Sequence, residues 1–280
     1  MLNLLRSDLY RMTRPRGACG ELISHGIAAL AIPLAVTIIY FIAAFISDGG
    51  ATITNGSGLY SELFGLMFLN THMLPLLTTF TIVQVAIADI ENGYEKTLSS
   101  AIKGTGSRLV ERIALAGIVA GVLTLVAAAG TLATGAIITM GNLTIDPLTE
   151  LIPWLFALWL TSWAYALPPL VFALFIRNKT AAYSAGLYAS VLSSILFAIL
   201  SMASQLLRTP VFTDAFTALA PYFPGHVIEL LSAGAATVAR AGDGAFALAG
   251  GASVQAVAVF ALWLAISIAT GLAVAHRRRG

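Results

Sequence analysis

Charge is what this 280-residue chain has least of: Asp, Glu, Lys and Arg together make up 10% of it, whereas hydrophobic residues make up 58%. Ordinary soluble chains are about 25% charged, so a water-soluble fold of this length would leave much of its apolar surface uncovered. The 15 Lys and Arg against 13 Asp and Glu leave a net charge of +2, which excludes the dominant basic footprint of a nucleic-acid-binding domain. A single cysteine, Cys19, excludes an intrachain disulfide and a cysteine metal cluster. No glycine is followed by lysine, so the phosphate-binding loop Gly-x-x-x-x-Gly-Lys-Ser/Thr is absent. Disorder is excluded too, because a mean hydropathy of +0.89 provides ample apolar surface to offset the entropy of ordering.

What the chain does have is long uncharged runs. Crossing about 30 Å of hydrocarbon takes about 20 helical residues. Six windows free of Asp, Glu, Lys and Arg meet that requirement: Leu22 to Ser47, Leu63 to Ala88, Ile113 to Ile145, Leu151 to Ile176, Thr180 to Leu207 and Gly244 to His276. Within them the expected spans are 26–46, 65–88, 112–138, 152–175, 181–206 and 250–274. Helices are expected because a lipid-exposed backbone must pair its own amides, and the windows lack the alternation of a barrel strand. The fold class is therefore an all-α polytopic membrane protein, residues 1–280 forming one transmembrane domain.

Basic residues orient it, since short loops rich in Lys and Arg stay cytoplasmic. The amino-terminal segment, the loop after span two, the loop after span four and the tail hold 13 of the 15 basic residues, leaving Arg208 and Arg240 for the other side. Both ends are thus expected in the cytoplasm. The first apolar run is about twice as long as the core of a secretory signal and ends in Asp48-Gly49-Gly50 without a cleavage pattern, so it is kept as a span. Ahead of it, Leu2, Leu5, Leu9 and Met12 recur at helical spacing while Arg6, Asp8 and Arg11 fall off that stripe, the pattern of an amphipathic helix lying on the membrane within residues 1–20.

On the outer side the loops are plain except for 208–244. There Pro210, Pro221 and Pro224 break the chain around a short apolar run of Val227, Ile228, Leu230 and Leu231 that contains Glu229. A brief helix at or dipping into the outer leaflet is expected, the alternative being a surface loop with a hydrophobic knot. On the inner side, residues 89–108 carry a short charged helix: Tyr94, Leu98 and Ile102 share one face, Gly104 and Gly106 close it, and Ser107 caps the third span. Its apolar edge suits either a protein partner or the inner leaflet.

The residues Glu91, Gly93, Lys96, Thr97 and Leu98, the serines after them and Ser107-Arg108 resemble the segment between the second and third spans of type-2 ABC transporter permeases. Tyr94 departs from that pattern, standing where Gly-Thr is usual. The six-span layout, the basic amino-terminal helix, the short loop Arg177-Asn178-Lys179 and the proline-broken segment before the last span extend the likeness to the whole chain. In size it is most similar to antibiotic and lantibiotic-immunity permeases. The resemblance implies an exporter assembled from two six-span subunits, identical or paralogous, and two ATPase subunits, in the bacterial inner (plasma) membrane. Residues 89–108 become the coupling segment, with Glu91, Gly93, Tyr94, Glu95, Lys96, Thr97, Leu98 and Ile102 as partner contacts, and the amino-terminal helix becomes the interfacial elbow. ATP and Mg are implied on the partner; this chain is expected to bind no cofactor, metal or nucleic acid and to carry no catalytic residue.

Inside the spans, no charged residue sits at mid-depth, which argues against an ion-coupled transporter. His72 reads as a helix-to-helix hydrogen-bond donor. On a continuous helix Tyr183, Ser190, Ser194, Ser201 and Gln205 fall within about 60° of one another; with Thr71 and Thr78 of span two they either line a pathway or act as interhelical glue worth about 0.6 kcal/mol per bond. Gly117-x-x-x-Gly121 permits close helix approach, and Pro33, Pro75 and Pro168-Pro169 mark expected kinks. Two other readings are a secondary transporter or channel acting alone, and an intramembrane hydrolase. The nearest match to a serine nucleophile turn, Asn55-Gly56-Ser57-Gly58, lies in an outer loop.

Overall fold

The computed structural model describes residues 2–12, 21–48, 58–91, 105–176, 178–189, 193–207, 210–238 and 251–277. They form helices α1 (Leu2–Met12), α2 (Glu21–Asp48), α3 (Tyr60–Phe64), α4 (Met73–Glu91), α5 (Thr105–Ile138), α6 (Leu148–Ile176), α7 (Lys179–Leu187), α8 (Ser193–Leu207), α9 (Pro210–Leu219), α10 (Pro224–Ser232) and α11 (Gly251–Arg277). The only strands among the described residues are two-residue pieces, β1 (Gly58–Leu59) and β2 (Leu143–Thr144), paired in parallel with Gly58 opposite Leu143. They set the start of α3 beside the end of α5, and mark one end of the bundle, termed distal. The basal end is that of α1.

Four of these helices, α2, α5, α6 and α11, are long and apolar enough to cross a membrane, and a fifth such unit arises if α3 and α4 are taken together. The molecule is thus an all-α protein built on helices of membrane-spanning character. Of the six expected spans, the second is bent by 53° between residues 69 and 73. The expected kink at Pro75 falls a few residues earlier. A π-helical turn, Gly65–Leu69, follows α3, and His72 takes a left-handed backbone (φ 53°), which ends the helical ladder before α4 begins. Pro75 occupies the first turn of α4, where its missing N–H leaves no intrahelical bond unmade. Within the fifth expected span the described residues form α7, a π-helical pair at Tyr188 and Ala189, and α8; residues 190–192 lie outside the described residues. Helices α2 and α6 continue through Pro33 and through Pro153, Pro168 and Pro169.

At the centre is α6, which packs against α4, α5, α7 and α11. Its Trp154, Ala157, Leu158, Ala164 and Leu167 are buried. The three tryptophans of α6 fix its neighbours. Trp154 donates its Nε1–H to Leu231 O (2.9 Å), Trp159 to Gly117 O (2.7 Å) and Trp163 to Ile113 O (3.0 Å). A buried indole N–H needs such a partner, and the two glycines expected to bring helices together prove to be notches for these rings: a Cβ on Gly117 would meet Trp163 ring carbons at 2.7 to 2.9 Å, and one on Gly121 would meet Trp159 Nε1 at 3.3 Å. Close approach at this seam is between an aromatic side chain and a bare helix.

The apolar run within 210–238 does not lie on a surface. Val227 and Leu231 of α10 are fully buried and Ile228 nearly so, whereas Glu229 is exposed. Helix α10 packs on α6, on α11 and on the Gly65–Leu69 turn. Gln255 Nε2 donates to Pro221 O (2.9 Å) and Trp263 Nε1 to Tyr222 O (3.1 Å), so the carbonyls freed at the α9–α10 break are taken up by α11. The helix expected at the outer leaflet is therefore packed on one side into protein, with Val227, Ile228 and Leu231 of α10 buried against its neighbours.

Candidate functional site

The residues that the sequence pattern ties to a partner lie in the chain from the end of α4 to α5. Helix α4 ends at Glu91 and α5 begins at Thr105; Gly93, Tyr94, Glu95, Lys96, Thr97, Leu98 and Ile102 lie outside the described residues, as does the side chain of Glu91. The start of α5, which follows that segment in the chain, is described. Helix α1 is held to α5 there: Arg112 Nη2 lies 3.4 Å from Asp8 Oδ2, and Arg112 Nε lies 3.4 Å from Glu111 Oε2. All three are almost wholly buried, at 3 to 4% exposure. Leu5 and Leu9 pack against the core and Met12 is inside it. Leu5, Leu9 and Met12 of the apolar stripe of α1 thus face protein. Asp8, which falls off that stripe by periodicity, is enclosed rather than facing headgroups. Removing one partner from such a buried cluster is far costlier than the net gain of forming it, because a desolvated charge remains. The cluster is therefore a rigid joint. Close to it in the chain, Leu109 fills the notch of Gly271 on α11, where a Cβ would stand 2.5 Å from Leu109 Cδ2.

The polar residues expected along a pathway are divided among different tasks. Thr71 Oγ1 donates to Met67 O (2.9 Å) and Thr78 Oγ1 to Leu74 O (2.9 Å), each closing on its own helical segment, as do Thr37, Thr81, Thr124, Thr134 and Thr161. This back-bonding satisfies a hydroxyl without any partner helix, so these threonines make neither interhelical glue nor, at Thr78, an accessible surface: it is fully buried. Tyr183 sits on α7 and meets Phe80 of α4 edge to face at 5.3 Å, beside the contact where a Cβ on Gly186 would stand 2.9 Å from Thr79 Cγ2. Ser201 is half-buried on α8. The backbones of Ser194 and Gln205 belong to the same helix, their side chains lying outside the described residues, and Ser190 lies outside them altogether. Tyr183 belongs to α7 and Ser194, Ser201 and Gln205 to α8, with residues 190–192 between them outside the described residues. His72 is half-buried in the bend of the second span, and its Nδ1 has no hydrogen-bond partner among the described residues.

Sequence reasoning missed a clasp at the distal end. Asp146, 4% exposed, accepts from Ser61 N (2.9 Å) and Ser61 Oγ (2.7 Å), and Ser61 Oγ in turn accepts from Ala235 N (2.9 Å). Three segments far apart in sequence are joined by this one network, with Tyr60 adding a bond from its hydroxyl to Ala128 O (2.8 Å). The available signal was a carboxylate in a short loop, followed by Pro147 and set between apolar helices, a position in which an acid must find donors. Among the described residues no group of three or more His, Cys, Asp and Glu is placed to hold a metal ion.

Comparison with protein-family models, with curated proteins and with solved structures finds no match to this chain. The site is accordingly read from its own residues.

Proposed function

We propose that the chain is the membrane-spanning permease subunit of an ATP-driven transporter, an exporter, which receives force from a separate ATPase subunit through residues 91–103. The observation that carries this reading is the buried Asp8–Arg112–Glu111 joint. It pins a short amphipathic helix to the foot of α5, directly after the charged segment whose residues resemble a coupling helix. A push on that segment reaches α4 at one end and α5 at the other, and the joint keeps α1 and α5 moving together. Transport in this scheme needs no covalent chemistry, only two arrangements of packed helices whose balance the partner's nucleotide state biases. Two copies of the chain, or this chain and a paralogue, would enclose the pathway.

The test is co-purification. Charge reversal at Glu91 or Glu95, or Leu98→Asp, is expected to abolish recovery of the ATPase subunit while membrane insertion stays intact. Unchanged recovery with all three variants removes the coupling assignment. Transport by the purified chain in vesicles without ATP would remove the ATP-driven reading as a whole.

A further inference from the structure

Between α6, α7, α8, α11 and the α9–α10 break lies a half-open cavity of about 670 Å³. Its walls include Pro168, Phe172, Ala185, Tyr188, Leu200 and Trp263. Polar side chains in them are few: Ser184, the hydroxyls of Tyr165 and Tyr188, and the indole of Trp263, whose Nε1 already donates to Tyr222 O. A second cavity of about 280 Å³ shares Pro168, Phe172 and Trp263 with the first and continues along α6 and α11 past Ile266 to Thr270. From Trp263 to Thr270 is two helical turns, or about 10 Å at a rise of about 1.5 Å per residue. The two together form an apolar track along α6 and α11, set midway along α11.

Three features limit what fits. The volume is within the range of about 300 to 1,000 Å³ that ligand cavities occupy, so the track is large enough for a molecule rather than a packing defect. Water is a poor occupant, because cavities lined by apolar side chains stay dry and take up apolar guests instead. Leaving the space empty forfeits the dispersion contacts of a whole aromatic wall. Two helices of spanning character, α6 and α11, run along the track; in a membrane the medium beside its open side is hydrocarbon, and a dry groove there matches a flexible hydrocarbon chain better than a compact polar solute. The geometry points to a binding site for one acyl chain of a membrane lipid, held between Pro168, Phe172 and Trp263 and reaching toward Thr270. This depends on the membrane setting of the helices and not on the transport reading, so either can fail alone.

The experiment uses the full chain in vesicles of phosphatidylethanolamine and phosphatidylglycerol containing a small fraction of phosphatidylcholine with a diazirine midway along one acyl chain. After illumination, cross-linked peptides are mapped by mass spectrometry. Phe172, Tyr188 and Trp263 are expected to carry several times more label than Ile27 and Ile38, which lie exposed on α2. Ala185→Phe and Leu200→Trp, which fill the first cavity from two different helices, are each expected to lower the label on those three residues several-fold and leave that on α2 unchanged, with tryptophan emission reporting that each variant is folded. Label at the cavity no denser than on α2, or unaffected by a filling variant that folds, overturns the proposal. So does cross-linking of the cavity residues to a second copy of the chain in place of lipid. A parallel arm with a headless diazirine alkane separates the sources: stronger labelling by the phospholipid supports a lipid chain, and labelling by the alkane alone overturns it in favour of a free hydrocarbon ligand.

Discussion

Gly65 tests whether α10 is packed on the bend of the second span as tightly as its contacts indicate. The glycine lies in the π-helical turn of the second span, and a Cβ built on it stands 2.5 Å from Ser232 O and 3.2 Å from Ser232 C and Cα, whereas ordinary contact begins at 3.4 Å. The obstacle is backbone, so no rotamer change relieves it; the end of α10 must withdraw by most of an ångström. Doing so strains the bond from Trp154 Nε1 to Leu231 O and that from Ala235 N to Ser61 Oγ, which flank the contact at 2.9 Å each. Overpacking of this kind costs about 1 to 3 kcal/mol, and each neutral hydrogen bond lost adds about 1 kcal/mol. Opposing this, alanine in a helix is favoured over glycine by about 1 kcal/mol. Gly26 of α2 isolates that gain, since nothing lies within 4 Å of its Cβ position. In detergent-solubilised protein followed by tryptophan emission, Gly65→Ala is expected to melt several degrees below the parent and Gly26→Ala at or slightly above it. If the two variants shift together, the packing of α10 against the bend is refuted.

Asp146→Ala is expected to lower stability by about 1.5 to 3 kcal/mol, the value of hydrogen bonds to a charged group, and Asp146→Asn by less because one acceptor oxygen is kept; thermal melting ranks the two. Arg112→Met, which removes the cation between Asp8 and Glu111, should cost about 3 to 5 kcal/mol and reduce the monodisperse fraction on gel filtration, while adding Asp8→Asn and Glu111→Gln to it restores much of the loss. Gly117→Ala places a methyl group against the Trp163 indole at 2.7 Å; Trp163→Leu makes room for it. The double-mutant cycle from melting data is expected to show a coupling of about 0.5 to 3 kcal/mol, and additivity would deny the notch.

Composition and hydropathy were sufficient to read the all-α character and the helices α2, α5, α6 and α11, because insertion into hydrocarbon is a sum over side chains along one stretch and needs no knowledge of neighbours. The amphipathic amino-terminal helix was legible for the same reason. The bend of the second span was not placed correctly: Pro75 marked the region, but the break is made by a π-turn and a left-handed His72, choices tied to how Gly65 must meet Ser232. The five-residue polar stripe rests on one helix over 181–206, and it crosses residues 190–192, which lie outside the described residues. Asp8 was assigned to the polar side of α1 by periodicity alone, yet a buried arginine from another helix claims it.

The amino-acid order by itself determined which segments are too apolar for water and must pair their own backbone as helices. Tertiary structure alone decided which carbonyl each of the four tryptophans serves, that α10 is enclosed rather than superficial, that Asp146 clasps Ser61, and that a dry track remains beside Trp263. The physical reason is that hydropathy is a local property, additive along the chain, while hydrogen-bond partnership and the space left between helices depend on which faces meet, a matter of long-range packing that no single segment encodes.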